Sequence, residues 1–106
     1  MSGRNASANT IVVRYRCAPD RADENAQLVE AVFAELAASN PGSIRYATFR
    51  LDDDTFIHIA EVEGDNPLAR TEAFARFQQA LGERCIQGPE PHSARLVGSY
   101  RFGLTD

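Results

Sequence analysis

Lysine is absent from this chain: all 11 of its basic residues are arginine. A Schiff-base mechanism or a lysine nucleophile therefore has no residue to run it. No apolar run approaches the roughly 20 residues that a membrane-spanning helix needs. Nor is there a basic run interleaved with aromatics, and 15 acidic residues against 11 basic ones leave a net charge of -4. That balance argues against nucleic acid or an anionic membrane surface as the partner. The only cysteines, Cys17 and Cys85, stand far apart and lack CxxC spacing. They read as reduced core thiols of a cytoplasmic protein, with a lone disulfide between them as the alternative. No metal-ligand spacing, phosphate loop, or Ser-His-Asp or Cys-His order is present. The leader MSGRNASAN has no apolar core of the signal-peptide kind, so residues 1–9 read as a disordered N-terminal segment. Its Asn5-Ala6-Ser7 then matches the glycosylation pattern by chance.

What is present is an ordinary globular composition, 43% hydrophobic and 25% charged over 106 residues, enough for one domain with one core. Thr10 to Cys17 is β-branched and alternating, and Ala18-Pro19-Asp20 ends it, which predicts a first strand. Ala22 to Ala38 places Leu28, Val29, Val32, Phe33, Leu36 and Ala37 at helical spacing, with Asp20 or Asp23 as candidate caps. Pro41 stops this helix, and Asn40 or Gly42 can take a left-handed C-cap. Ser43 to Leu51 and Thr55 to Glu63 predict two strands joined by the Asp52-Asp53-Asp54 turn as an antiparallel hairpin. Three acids at a hairpin tip read as a solvated turn, without the full set of oxygen ligands that a cation needs. A second helix is expected over Thr71 to Arg84, with Phe74, Phe77, Leu81 and Cys85 in one stripe. Gln87 to Pro91 reads as a loop holding back a last strand over Ser93 to Phe102.

The expected order is βαββαβ: an α+β, ferredoxin-like domain over residues 10–103, with two helices on one face of a four-stranded antiparallel sheet. Alternation turns Ile11, Val13, Tyr15 and Cys17 toward the helices and Thr10, Val12, Arg14 and Arg16 away. In the third strand Phe56, His58, Ala60 and Val62 join the first set, because Glu61 and Glu63 suit the arginine-bearing face. In the last strand Ala94, Leu96, Tyr100 and Phe102 are expected on the helix side, and Arg95, Val97, Ser99 and Arg101 opposite. The uncovered face then carries Val12, Ile57, Ile59 and Val97 ringed by Arg and Glu, the pattern of a sheet-on-sheet contact between two copies, so a homodimer is expected. Arg14, Arg16, Arg95 and Arg101 fit salt bridges in that contact.

His58 lies in the middle of the apolar stretch FIHIAEV. Two readings are open: a core histidine whose nitrogens bond a tyrosine hydroxyl or a backbone carbonyl, or the base of a pocket. Burial would keep its imidazole neutral, the form that can accept a proton. His92 follows Pro91 and reads as an exposed loop residue.

The βαββαβ order, the entry Pro41-Gly42-Ser43-Ile44-Arg45-Tyr46, the strand FIHIAEV followed by Asn66-Pro67-Leu68, and the closing Val97-Gly98-Ser99-Tyr100-Arg101-Phe102 together resemble the antibiotic biosynthesis monooxygenase superfamily. The resemblance spans about Thr10 to Phe102. It implies a dimeric α/β barrel in which two sheets join open face to open face. It also implies cofactor-independent chemistry: a phenol or quinol held between sheet and helices is deprotonated, and its anion reacts with dioxygen. Such a pocket must be apolar, with a base and hydrogen bonds for the developing oxyanion. On this resemblance His58 is the catalytic candidate, and Tyr15, Phe33, Phe74, Phe77 and Tyr100 are the substrate-binding candidates. Tyr46 is a further possible neighbour that alternation does not place. No cofactor and no metal are expected; the haem-degrading relatives use an Asn, Trp and His set that a chain without tryptophan lacks. The alternative is a small-ligand binding or stress-related barrel protein without catalysis.

Overall fold

Strand 1 forms where β-branched and aromatic residues alternate, and an antiparallel strand pairs on each side of it. A computed structural model of the chain describes residues 8–102. Most of the expected disordered segment, and the far end of the expected domain, lie outside the described residues. The elements are β1 (Ala8–Cys17), α1 (Ala22–Ser39), β2 (Ile44–Arg50), β3 (Thr55–Glu63), a 3-10 turn (Pro67–Arg70), α2 (Glu72–Gln78), α3 (Leu81–Arg84) and β4 (Cys85–Ala94). The sheet order is β2-β3-β1-β4 with every pairing antiparallel, so β1 and β3 are central, as the ferredoxin-like reading requires. Tyr15, Cys17, Phe56, Val29, Val32, Ala73 and Phe77 are buried between sheet and helices. None of the helices among the described residues is long and apolar enough to cross a membrane.

Local chemistry explains most boundaries. The left-handed C-cap of α1 falls on Asn40, whose φ is 51° and whose N–H reaches the Leu36 carbonyl at 2.7 Å. The N-cap differs from expectation: it is Arg21, without a side-chain cap, while Asp23 and Glu24 supply negative charge to the first turn. Asn66 accepts from the Leu68 N–H and opens the 3-10 turn, and Thr71 accepts from the Phe74 N–H and caps α2.

The single helix expected over Thr71–Arg84 is broken. It stops at Gln78, Ala80 adopts a left-handed φ of 62°, and a short α3 follows. The carbonyls freed by the break are taken by a side chain from further along: Arg84 Nη2 donates to Phe77 O at 2.6 Å and Nη1 to Gln79 O at 3.2 Å. Helical periodicity carries no sign of such a bond.

The last strand is a second correction. Gln87 to Pro91 is not a loop but the middle of β4, and residues 95–102 are not in a strand. β4 is an edge strand, where proline loses no ladder bond on its outward side, and its register against β1 shifts between Arg14 and Arg16. His92, expected in a loop, is an exposed residue of β4. Thr10 pairs with Ala94 and Val12 with His92, so Ala94 shares the uncovered face with Thr10 and Val12. The segment after it lies over that face: Leu96, Tyr100 and Phe102 line a groove of about 390 Å³ with Thr10, Val12 and Ile59. Phe102 stacks on Phe49 of the far edge strand, with ring centroids 6.3 Å apart. Ala94, Leu96, Tyr100 and Phe102 are thus on the face opposite to the one alternation predicts.

Candidate functional site

His58 projects from the centre of β3 into the space between sheet and helices and is 5% exposed. Its neighbours across the sheet are Val13 on β1 and Thr48 on β2. Because side chains alternate, Tyr46, two residues before Thr48, stands on the same face. The hairpin register therefore delivers both hydroxyls to the imidazole: Tyr46 OH lies 2.6 Å and Thr48 Oγ1 3.1 Å from Nδ1. On the other side Tyr15 OH lies 2.7 Å from Nε2.

The chain of polar groups continues behind Tyr15. Asn25 Nδ2, from the first turns of α1, donates to Tyr15 OH at 2.9 Å, and Asn25 Oδ1 accepts from Arg84 Nε at 2.9 Å. Asn25 is fully buried and Arg84 is 2% exposed. Among the described residues no buried side-chain polar atom lacks a partner. A fully satisfied buried network of this kind holds its members in single rotamers. Tyr15 is further fixed by stacking on Phe56, with centroids 5.5 Å apart, and Phe77 packs against His58 at 5.3 Å.

Burial sets the protonation states. It pushes the His58 imidazole down from 6.5 to about 4, so the ring is neutral at physiological pH. Burial also pushes the Tyr46 phenol up to about 12, with its hydrogen bond to Thr48 working the other way, and raises Tyr15 despite the bond from Asn25. Both phenols are therefore neutral donors near pH 7.

A cavity of about 230 Å³ opens beside this cluster. His58, Tyr15 and Tyr46 form its polar end, and Phe74, Phe77 and Leu81 supply apolar wall from the helix layer. Of the substrate-binding candidates, Tyr15, Phe74 and Phe77 line this cavity. Phe33 does not line it but stacks on the Tyr46 ring at 4.8 Å and so backs one of its walls. Tyr100 is 83% exposed on the opposite sheet face, because β4 ends at Ala94, and it is not brought to His58. Sequence reasoning left Tyr46 unplaced and missed Thr48, Asn25 and Arg84. The first two were legible from the hairpin: pairing the strands symmetrically about Asp52–Asp54 sets Thr48 opposite His58. Arg84 and Asn25 gave no signal, since an arginine near a helix end and an asparagine among charged residues both read as surface.

No protein-family model matches the sequence, and no curated protein matches it. Solved structures do. A candidate antibiotic biosynthesis monooxygenase from Caulobacter crescentus superposes with a TM-score of 0.70 at 18% identity, over 87% of this chain and 92% of that one. One from Nitrosomonas europaea gives 0.70 at 10% identity, over 91% and 96%. A protein of Pseudomonas aeruginosa gives 0.69 at 20% identity, over 91% of this chain and all of the other. The chain is thus built, over nearly its full described length, on the same α+β ferredoxin-like fold as these solved structures.

Proposed function

We propose that the cavity beside His58 binds a small aromatic or quinol compound and promotes its oxygenation by dioxygen without a cofactor. The supporting observation is the cavity itself: an apolar slot whose one polar end gathers an imidazole and two phenol hydroxyls. In an anthrone-type substrate a ring CH2 becomes C=O; one oxygen atom of O2 enters the product, the other leaves as water, and the substrate supplies all four electrons. The protein's part is to hold the electron-rich anion with its oxygen on hydrogen-bond donors in a dry site. His58 serves this as a hydrogen-bond partner of the two tyrosines. A panel of anthrone- and quinol-type compounds in an oxygen electrode tests it: protein-dependent oxygen uptake, reduced in His58→Ala, is expected, and a flat trace for the wild type overturns it.

One observation favours the alternative, a binding module without catalysis. An imidazole held near pKa 4, with both nitrogens already bonded inside the protein, is a poor base at neutral pH. Ligand binding with no oxygen uptake would decide for that reading.

In either case the protein acts as a homodimer joined through the sheet face away from the helices. The segment after Ala94 lies over part of that face, and Phe49, Leu96, Tyr100 and Phe102 stay exposed there, an apolar patch that is unusual on a monomer. The partner in this reading is a second copy, and the small aromatic molecule is the ligand.

A further inference from the structure

Hydrogen bonds have a direction, and the buried chain behind His58 has one end at which that direction is settled by chemistry. A guanidinium can only donate. Arg84 Nε donates to Asn25 Oδ1, which fixes the amide: its NH2 group faces Tyr15 and donates to the phenol oxygen. The Tyr15 proton must then point elsewhere, and the atom in reach is His58 Nε2, at 2.7 Å. A nitrogen that accepts is unprotonated, so the neutral ring carries its proton on Nδ1. Nδ1 in turn donates toward Tyr46 OH at 2.6 Å and Thr48 Oγ1 at 3.1 Å. Tyr46 oxygen, having accepted, keeps its own proton, for which Thr48 Oγ1 and an acceptor in the cavity that Tyr46 lines are the competing partners.

We propose that Arg84 and Asn25 set the polarity of this chain so that Tyr46 presents a hydroxyl proton to the cavity, as the donor for an acceptor oxygen on a planar ligand: a phenolate or a quinone-type carbonyl. Arg84 and Asn25 are positioning residues; Tyr46 touches the ligand. Arg84 suits the task because its guanidinium donates to neutral oxygens, those of Asn25, Phe77 and Gln79, so no carboxylate among these partners absorbs its charge. The same residue that closes the break after α2 therefore orients a hydroxyl across the core. The ligand class rests on the aromatic reading above, whereas the polarity does not.

The polarity is read directly from the tautomer of His58 by long-range 1H–15N correlation of the imidazole. Nδ1–H is expected in the ligand-free wild type, and Nε2–H overturns the proposal. Asn25→Asp is nearly isosteric but acceptor-only: Arg84 still donates to it, Tyr15 turns its proton toward it, and the ring must switch to Nε2–H. An unswitched ring in the folded variant overturns the proposal too. For the ligand, 4-nitrophenolate at pH 8.5 serves as probe, followed by its absorbance. Tyr46→Phe and Asn25→Asp are each expected to weaken its binding about tenfold or more, since a hydrogen bond to a charged group is lost. Unchanged affinity in Tyr46→Phe, which does not depend on whether Asn25→Asp folds, overturns the donor role. A wild type that shows Nδ1–H but binds no nitrophenolate overturns the aromatic-ligand reading and leaves the polarity standing.

Discussion

Glu35 of α1 caps the helix that follows it in the sheet's cover: its carboxylate accepts the Ala73 N–H at 2.8 Å and the Glu72 N–H at 3.2 Å. These are the orphan donors of the first turn of α2, where negative charge is favoured. Glu35→Ala is therefore expected to cost about 1 kcal/mol, in the range of lost N-caps. Since Phe74 and Phe77 ride on α2, faster amide exchange should appear there and not in β1. Unchanged denaturation midpoints and exchange would remove Glu35 from this role.

Acid should weaken the protein through His58. Its folded-state pKa of about 4 lies below the 6.5 of the free side chain. Between those values the unfolded chain binds the proton and the folded one does not, so stability falls as pH drops from about 6.5 and levels off below about 4. The total is on the order of 3 kcal/mol. Urea midpoints across this range, compared between wild type and His58→Gln, check it: the steep part should belong to the wild type alone.

The break between α2 and α3 predicts an unusual tolerance at Ala80, held at φ 62°. Ala80→Gly relieves the left-handed strain and should leave stability equal or higher. Ala80→Val should cost about 1–2 kcal/mol, because a β-branched residue is poorly accommodated there. Were the chain one continuous helix, the glycine would be the damaging change, so chemical denaturation separates the two.

Cys17 and Cys85 pair across β1 and β4, and both are free thiols. Cys17 is fully buried and its thiol is pushed up to about 11, mainly by burial, while Cys85 is half-buried and also raised. Iodoacetamide at pH 8 should label the folded protein at Cys85 only, and slowly. Equal labelling of both residues before unfolding would contradict the packing of β1 against the helices.

Light scattering at micromolar concentration should return a dimer mass, and Ile59→Glu, which places a charge in the middle of the sheet face away from the helices, should return a monomer. A monomeric wild type would end the sheet-to-sheet reading.

The sequence by itself determined the βαββαβ order, the central place of β1 and β3, and the side of the sheet on which Tyr15 and His58 stand. Each of these follows from short-range regularities: a period of two in strands, a helical stripe, and Asn40, Pro41 and the aspartate turn as punctuation. Only the tertiary structure decided the rest. Pairing register turned Tyr46 and Thr48 toward His58, and the end of β4 at Ala94 left Tyr100 on the opposite face. Edge position allowed Gln87–Pro91 to be a strand in spite of its prolines. And Arg84, 59 residues from Asn25 in sequence, meets it in the core, where burial makes a hydrogen bond decisive and where no local pattern in the chain announces it.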